Sequence, residues 1–82
     1  MESGTRQVKV TYYGMLAEKL SMDSEVLELP SGDVNLREFF VETHPELSAF
    51  TFTAAVDLEY KELITEDHQP NKIDLMPPFA GG

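Results

Sequence analysis

Three segments in which apolar and polar residues alternate constrain the fold of this chain more than any other feature of its sequence. They are RQVKVTYYG at 6–14, FTFTAAVDL at 50–58 and KIDLM at 72–76. A period of two is typical of strands that bury one face and expose the other. By parity, the side chains predicted to point inward are Val8, Val10, Tyr12, Phe50, Phe52, Ala54, Val56, Leu58, Ile73 and Leu75.

One segment has the pattern of a well-formed helix, VNLREFFVETHP at 34–45. Asn35 and Glu38 have the spacing of a capping box at its start, and Pro45 disfavours helical backbone at the residue before it. The shorter segments predict a brief helix over MLAEKL and strands over SEVLEL and YKELI. The predicted order is β-α-β-α-β-β-β, an α+β domain with one main helix on one face of a sheet.

The charge balance argues against several classes of partner. The 82 residues include 15 Asp and Glu against 6 Lys and Arg, for a net charge of −9. Nucleic acid and anionic membrane surfaces are therefore unexpected partners, whereas a basic protein surface would be complementary. The chain has no cysteine and no apolar run typical of a signal peptide, so we expect a cytoplasmic protein.

Residues suited to catalysis do not form a recognisable group within the predicted domain. His44 precedes a proline and His68 lies in a polar loop beside Glu66 and Asp67, without triad or metal-ligand spacing. We interpret both histidines as structural and expect neither a metal nor a bound cofactor. Two large side chains, Tyr13 and Met76, fall on the outward faces of the first and last strands, which suggests a contact surface.

The ending DLMPPFAGG is the other unusual feature. Pro77 and Pro78 favour extended backbone and would hold the following residues away from the sheet. Phe79 and Ala80 are apolar, and Gly81 and Gly82 lack side chains, so this end can enter a narrow channel. We therefore divide the chain into a domain at 1–78 and a flexible tail at 79–82.

These features together resemble the small sulfur-carrier proteins of the ubiquitin-like β-grasp group (the MoaD/ThiS group), most closely the small subunit of molybdopterin synthase. VKVTYYGMLAEKL is similar to the first strand and helix of that family, AAVDLEY to its middle strand and turn, and IDLMPPFAGG to its Pro-Pro-x-x-Gly-Gly ending. Asp57 stands where asparagine is common, and QPNK replaces the usual Gly-Asp before the last strand. The resemblance implies a mixed sheet of about five strands, with the first and last adjacent and parallel.

The resemblance also implies a mechanism. An ATP-dependent activating enzyme would adenylate the carboxylate of Gly82, and a sulfur donor would convert it to a thiocarboxylate. The tail would then enter the large catalytic subunit of molybdopterin synthase, which transfers the sulfur to a pterin precursor. The chain itself would be a non-catalytic donor subunit. Residues 77–81 would thread into the partners, and Tyr13, Tyr60 and Met76 would form the partner-binding face.

Other functions are compatible with the same ending. A sulfur carrier could serve the thiazole of thiamine or a thiolated tRNA base instead of the molybdenum cofactor. A ubiquitin-like modifier would use the same activation of Gly82 but would be joined to lysines of other proteins. A non-covalent binding module would not use the two glycines at all.

Overall fold

A computed structural model describes residues 6–78 of the chain as ten helices and strands. The predicted tail at 79–82 lies outside these described residues, so its proposed flexibility stays a prediction. In chain order the elements are β1 (Arg6–Tyr12), α1 (Met15–Leu20), β2 (Ser24–Leu29), β3 (Val34–Asn35), α2 (Leu36–Thr43), a 3-10 helix (Pro45–Ala49), β4 (Thr53–Val56), β5 (Glu59–Tyr60), β6 (Leu63–Ile64) and β7 (Lys72–Met76).

Five of the strands form one mixed sheet in the order β2-β1-β7-β4-β5. β1 and β7 are parallel neighbours at the centre, with Lys9 opposite Lys72 and Tyr12 opposite Leu75. The other pairings in this sheet are antiparallel. β3 and β6 form a separate two-stranded pair. The predicted α+β fold, with its central parallel pair, is therefore confirmed.

The hydrophobic core lies between one face of the sheet and α2. The alternation identified most of it, because Val8, Val10, Tyr12, Ile73 and Leu75 are all buried. From the helical side, Leu36 and Phe40 of α2 and Leu47 of the 3-10 helix close the core. We call the opposite side of the five-stranded sheet the open face.

The start and end of α2 follow the local sequence signals. The side chain of Asn35 accepts a hydrogen bond from the backbone N–H of Glu38 at 3.0 Å, which satisfies one donor left unpaired at a helix start. The helix ends at Thr43, and the chain turns directly into the 3-10 helix that begins at Pro45. The 3-10 helix was not predicted, since a single turn carries no periodic pattern of its own.

Two sequence interpretations around the β4–β5 hairpin were wrong. Leu58 does not point inward but is 76% exposed, because β4 ends at Val56 and the alternation continues into a turn. YKELI is not one strand but contributes to two separate pairings, through Tyr60 in β5 and through β6. Such two-residue bridges depend on distant partners, and period-two analysis cannot resolve them.

The hairpin turn places the side chain of Asp57 against the start of β7. Asp57 and Leu58 both have positive φ, 49° and 74°, as in a two-residue type I′ turn. The Asp57 carboxylate accepts hydrogen bonds from the backbone N–H groups of Asn71 at 3.0 Å and Lys72 at 3.1 Å. These bonds join the turn to the start of β7 through Oδ1, an acceptor that an asparagine at this position would also supply.

A buried arginine joins two loops that are far apart in the sequence. Arg6 is 9% exposed, and its guanidinium donates to the carbonyl oxygens of Pro30 and Gly32 at 2.9 and 2.8 Å. On the other side it donates to Thr65 and His68 at 2.8 and 2.7 Å and to Glu66 at 3.2 Å. The planar fork of the guanidinium suits this role, because its donors diverge in fixed directions.

At the other end of β1, Tyr12 joins the sheet to the end of α2. Its hydroxyl donates to Glu25 Oε2 at 2.5 Å, and the same oxygen lies 2.6 Å from His44 Nε2. The Tyr12 ring meets the rings of Phe40 and His44 edge to face. Burial, followed by the hydrogen bond to Glu25 and the charge of Glu25, raises the pKa of Tyr12 well above its ordinary value.

This shift predicts a loss of stability in alkaline solution. The folded-state pKa lies above the unfolded value of about 10, so the stabilisation is complete below pH 10 and declines above it, by up to about 1.4 kcal/mol per pH unit. We expect Tyr12→Phe to flatten the decline, measured by urea unfolding from pH 8 to 11.5. Tyr60→Phe removes a hydroxyl at an exposed position and is the control, which should show the same decline in unfolding free energy as the native protein. Equal slopes in all three proteins would contradict this assignment.

Candidate functional site

The point at which the tail leaves the sheet is fixed by contact with the β1–α1 turn. We call Pro77 and Pro78, which directly follow β7, the tail root. Gly14 has φ 58° and ψ −132°, a backbone conformation that residues other than glycine rarely adopt. A Cβ atom placed on Gly14 would lie 3.3 Å from Cγ of Pro77. The glycine thus allows the first proline of the tail root to pack closely against the β1–α1 turn.

A Gly14→Ala variant is expected to combine backbone strain with displacement of Pro77. The strain should lower the free energy of unfolding by about 1–3 kcal/mol, measured by chemical denaturation. Gly32→Ala is the matched control, because Gly32 also has positive φ, 88°, but has no atom within 4 Å of an added Cβ. Both variants should lose stability, whereas only Gly14→Ala should change the NMR signals of Pro77 and its neighbours. Unchanged signals would show that this contact does not hold the tail root.

Tyr13 is exposed on the open face, as predicted, and it also covers a buried carboxylate. The backbone N–H of Tyr13 donates to the carbonyl of Leu75 at 3.0 Å, which continues the parallel pairing and places Tyr13 beside Met76. The side chain is 44% exposed, and its hydroxyl lies 3.3 Å from Asp74 Oδ1. Asp74 points to the open face as predicted by parity but is only 7% exposed.

The three residues predicted to bind partners lie on one side of the sheet. Met76 is half-buried and stands opposite Thr53 of β4, while Tyr60 is 62% exposed and pairs with Ala55 of the same strand. With Tyr13, they surround the end of the sheet at which the tail leaves. We call Tyr13, Tyr60 and Met76 the apolar patch. Its proposed role in partner binding stays a prediction.

Charge on the open face differs from the acidic average of the chain. Lys9 and Lys72 are direct neighbours across the β1–β7 pair, and both are exposed. Lys72 Nζ lies 3.7 Å from Asp74 Oδ2, so the second lysine partly neutralises the buried carboxylate. In contrast, exposed carboxylates at Glu38 and Glu42 lie on α2. Two lysines thus lie together on the open face, a feature that the acidic overall charge did not indicate.

The two histidines have structural contacts within the domain. His44 contacts Glu25 and Tyr12 as described above, and His68 Nε2 lies 3.7 Å from Asp57 Oδ2. In residues 6–78, no group of three or more His, Cys, Asp or Glu side chains is arranged to hold a metal ion. The helices of the same region are too short or too polar to cross a membrane.

Four of the predicted site residues, Phe79, Ala80, Gly81 and Gly82, lie outside the described part of the chain. What the structure adds is the position of their attachment point. Sequence reasoning missed Gly14, although a glycine directly after a strand is a recognised signal for an unusual backbone conformation. It also missed Arg6, since a charged residue at a strand start gives no indication of the loops that it will contact.

The sheet order, the central parallel pair and the single long helix define the class of protein as a ubiquitin-like β-grasp fold. A solved structure from Pyrococcus furiosus, described as a candidate molybdopterin converting factor, subunit 1, has this fold. It superposes with a TM-score of 0.69 at 22% identity, covering 90% of this chain and 99% of its own. No protein-family model matches the sequence, and no curated protein is significantly similar to it. The fold implied by the sequence resemblance is thus confirmed.

Proposed function

We propose that this protein is a sulfur carrier that acts as the small subunit of molybdopterin synthase, with Gly82 as the group that carries the sulfur. The observation that supports this most is the junction of tail and sheet. The Gly-Gly ending follows a proline packed against Gly14, next to an exposed apolar patch on the open face. The P. furiosus protein shares the fold, and its description names a molybdopterin converting factor, subunit 1.

The proposed chemistry needs an activated carboxylate, because a free carboxylate is a poor acyl donor. A Gly82 oxygen would attack the α-phosphorus of ATP, releasing pyrophosphate and forming an acyl adenylate on the activating enzyme. Sulfide would then attack the carbonyl carbon, and AMP would leave with the electrons of the broken C–O bond. With a persulfide donor the first product would be an acyl disulfide, from which a second thiol releases the thiocarboxylate by forming a disulfide with the donor sulfur. The product is a thiocarboxylate, whose sulfur the large synthase subunit would transfer to the pterin precursor.

The residues of this chain would contribute positioning and binding to that sequence of reactions. The tail root would direct residues 79–82 away from the sheet, and the absence of side chains at Gly81 and Gly82 would let the carboxylate reach a narrow active site. The apolar patch would dock on each partner in turn. Neither histidine is needed, since each has structural contacts within the domain.

The direct test is intact-mass measurement after incubation with the activating enzyme, ATP and a sulfur donor. We expect a mass gain of one oxygen-to-sulfur exchange, located by fragmentation to Gly82, and no gain when Gly82 is deleted. The Gly82 deletion is a suitable control because it leaves residues 6–78 unchanged. A full-length protein that keeps its mass beside an active enzyme, checked with a known carrier, would refute the proposal.

The identity of the acceptor separates this proposal from its alternatives. The thiocarboxylate form should convert pterin precursor to molybdopterin with the large subunit. Transfer only to a thiazole precursor or to tRNA would assign the carrier to thiamine synthesis or tRNA thiolation. Covalent conjugates on lysines of cellular proteins, lost on deletion of Gly82, would instead identify a ubiquitin-like modifier.

A further inference from the structure

A groove at the edge of the sheet shares Tyr60 with the apolar patch, but the proposed sulfur-carrier function does not explain its charge and shape. Its volume is about 410 Å³, and it lies between the start of α2, the start of β4 and the chain that follows β5. The apolar part is lined by Leu36, Phe52 and Ala54. Two of these, Leu36 and Ala54, are buried parts of the core, so the floor of the groove is rigid.

The charged lining of the groove is cationic, in contrast to the acidic chain. Arg37 and Lys61 line it together with one carboxylate, Glu62, and Lys61 Nζ also lies 3.8 Å from Oε1 of exposed Glu59 outside the groove. The Arg37 guanidinium lies 4.8 Å from the centre of the Phe52 ring and donates to the carbonyl oxygens of Phe50 and Ser48. Carbonyl groups hold this cation in place without neutralising its charge. An occupant with an aromatic group and a carboxylate would therefore match the groove.

Residues 79–82 of the chain have that composition, and the strand that precedes them, β7, lies beside one wall of the groove. Met76 stands directly opposite Thr53. Thr53 and the residue before it in the chain, Phe52, both line the groove. Neighbouring strands are about 4.8 Å apart, whereas four extended residues span up to about 14 Å. The tail is thus long enough to cross β4 from the tail root and place its carboxylate beside Arg37 and Lys61.

We propose that this groove is an intramolecular docking site for residues 79–82. Phe79 would occupy the apolar part beside Phe52, and the Gly82 carboxylate would pair with Arg37 and Lys61. Docking would withhold the carboxylate until a partner displaces the tail. This role in limiting activation rests on the proposed function, whereas docking itself does not.

The physical test is the NMR mobility of the tail in the full-length protein without any partner. The steady-state heteronuclear NOE of the Gly81 and Gly82 amides reports motion on the picosecond to nanosecond timescale. We expect Arg37→Gln and Lys61→Gln to lower this NOE, and Glu62→Gln, which removes the repelling carboxylate, to raise it. The control is Lys19→Gln, an exposed cation on α1 that does not line the groove.

The outcome that would overturn docking is an NOE for Gly81 and Gly82 that is low in the native protein and unchanged in all four variants. An NOE that rises with protein concentration would show docking into a second copy, which also contradicts the intramolecular site. Lys61→Gln provides an independent result if Arg37→Gln alters the fold, because Arg37 has carbonyl contacts. High salt should lower the native NOE, since ionic strength screens exposed pairs.

The functional consequence is measured separately, as the rate of Gly82 adenylation by the activating enzyme. If docking withholds the tail, Lys61→Gln should lower the apparent KM for this chain by about threefold, as expected from the loss of one exposed ion pair. Glu62→Gln should raise it. Tail docking without any thiocarboxylate formation would refute the sulfur-carrier proposal alone, and thiocarboxylate formation with a mobile native tail would refute docking alone.

Discussion

An Arg6→Met variant is expected to lose roughly 3 kcal/mol of unfolding free energy, the largest effect of any single substitution considered for this domain. Methionine keeps much of the length of the side chain but has no donors. Five carbonyl oxygens in two loops would then lose their shared partner, and those that stay out of contact with water would be left unsatisfied. Chemical denaturation at neutral pH measures the loss.

The matched control is Lys9→Met, which makes a similar change at an exposed position of the same strand. It should alter stability by less than about 0.5 kcal/mol. Arg6→Lys should fall between the two, because a lysine keeps the charge but cannot donate in two diverging directions. An unfolding free energy of Arg6→Met within about 1 kcal/mol of the native value would show that the guanidinium does not hold the loops together.

A Met76→Asp variant is expected to bind both proposed partners about 30-fold more weakly while the domain stays folded. Met76 is half-buried on the open face beside the tail root, where a carboxylate would be desolvated by any docked protein. Its neighbour Asp74 would add repulsion. Binding to the activating enzyme and the large synthase subunit can be measured by calorimetry, and folding by thermal denaturation.

The exposure of individual residues in the structure provides the controls for this experiment. Val26→Asp introduces the same charge at a 63% exposed site on β2, across the open face from Met76, and should leave affinity nearly unchanged. Tyr13 is better tested as Tyr13→Phe, because aspartate there would stand next to buried Asp74. Equal loss of affinity in Met76→Asp and Val26→Asp would show that net charge, not the apolar patch, determines binding.

The main strands could be predicted because their inner faces are apolar and their outer faces carry mostly polar side chains, even where an outer residue such as Asp74 is buried. This difference gives β1 and β7 a clean period of two, and the capping residue Asn35 gives α2 a local start signal. Leu58 was misplaced for the same reason, since the alternation does not reveal where a strand ends. The positive φ angles of Asp57 and Leu58 turn the chain after Val56, so Leu58 no longer follows the alternation of the strand.

The contacts that hold loops together could not be predicted from local sequence. Arg6 contacts carbonyl groups 24 to 62 residues away, and those groups have no side-chain signature. The burial of Asp74 depends on the position of Tyr13, which follows from the three-dimensional pairing of β1 with β7. For the site, the sequence indicated the tail and the apolar patch. The groove beside Arg37 could be identified only once the packing of α2 against β4 was known.

The parallel pairing of β1 and β7 also determines how the molecule can be oriented on a surface. The chain enters β1 at one end of the sheet and leaves β7 at the other. Because Tyr12 is paired with Leu75, Met76 lies level with the seventh residue after Arg6, and at about 3.3 Å per residue the start of β1 is roughly 23 Å from the end of β7. A protein immobilised through a linker before Arg6 would therefore hold its tail root at the end of the domain away from the support, which suits single-molecule and biosensor measurements of partner exchange.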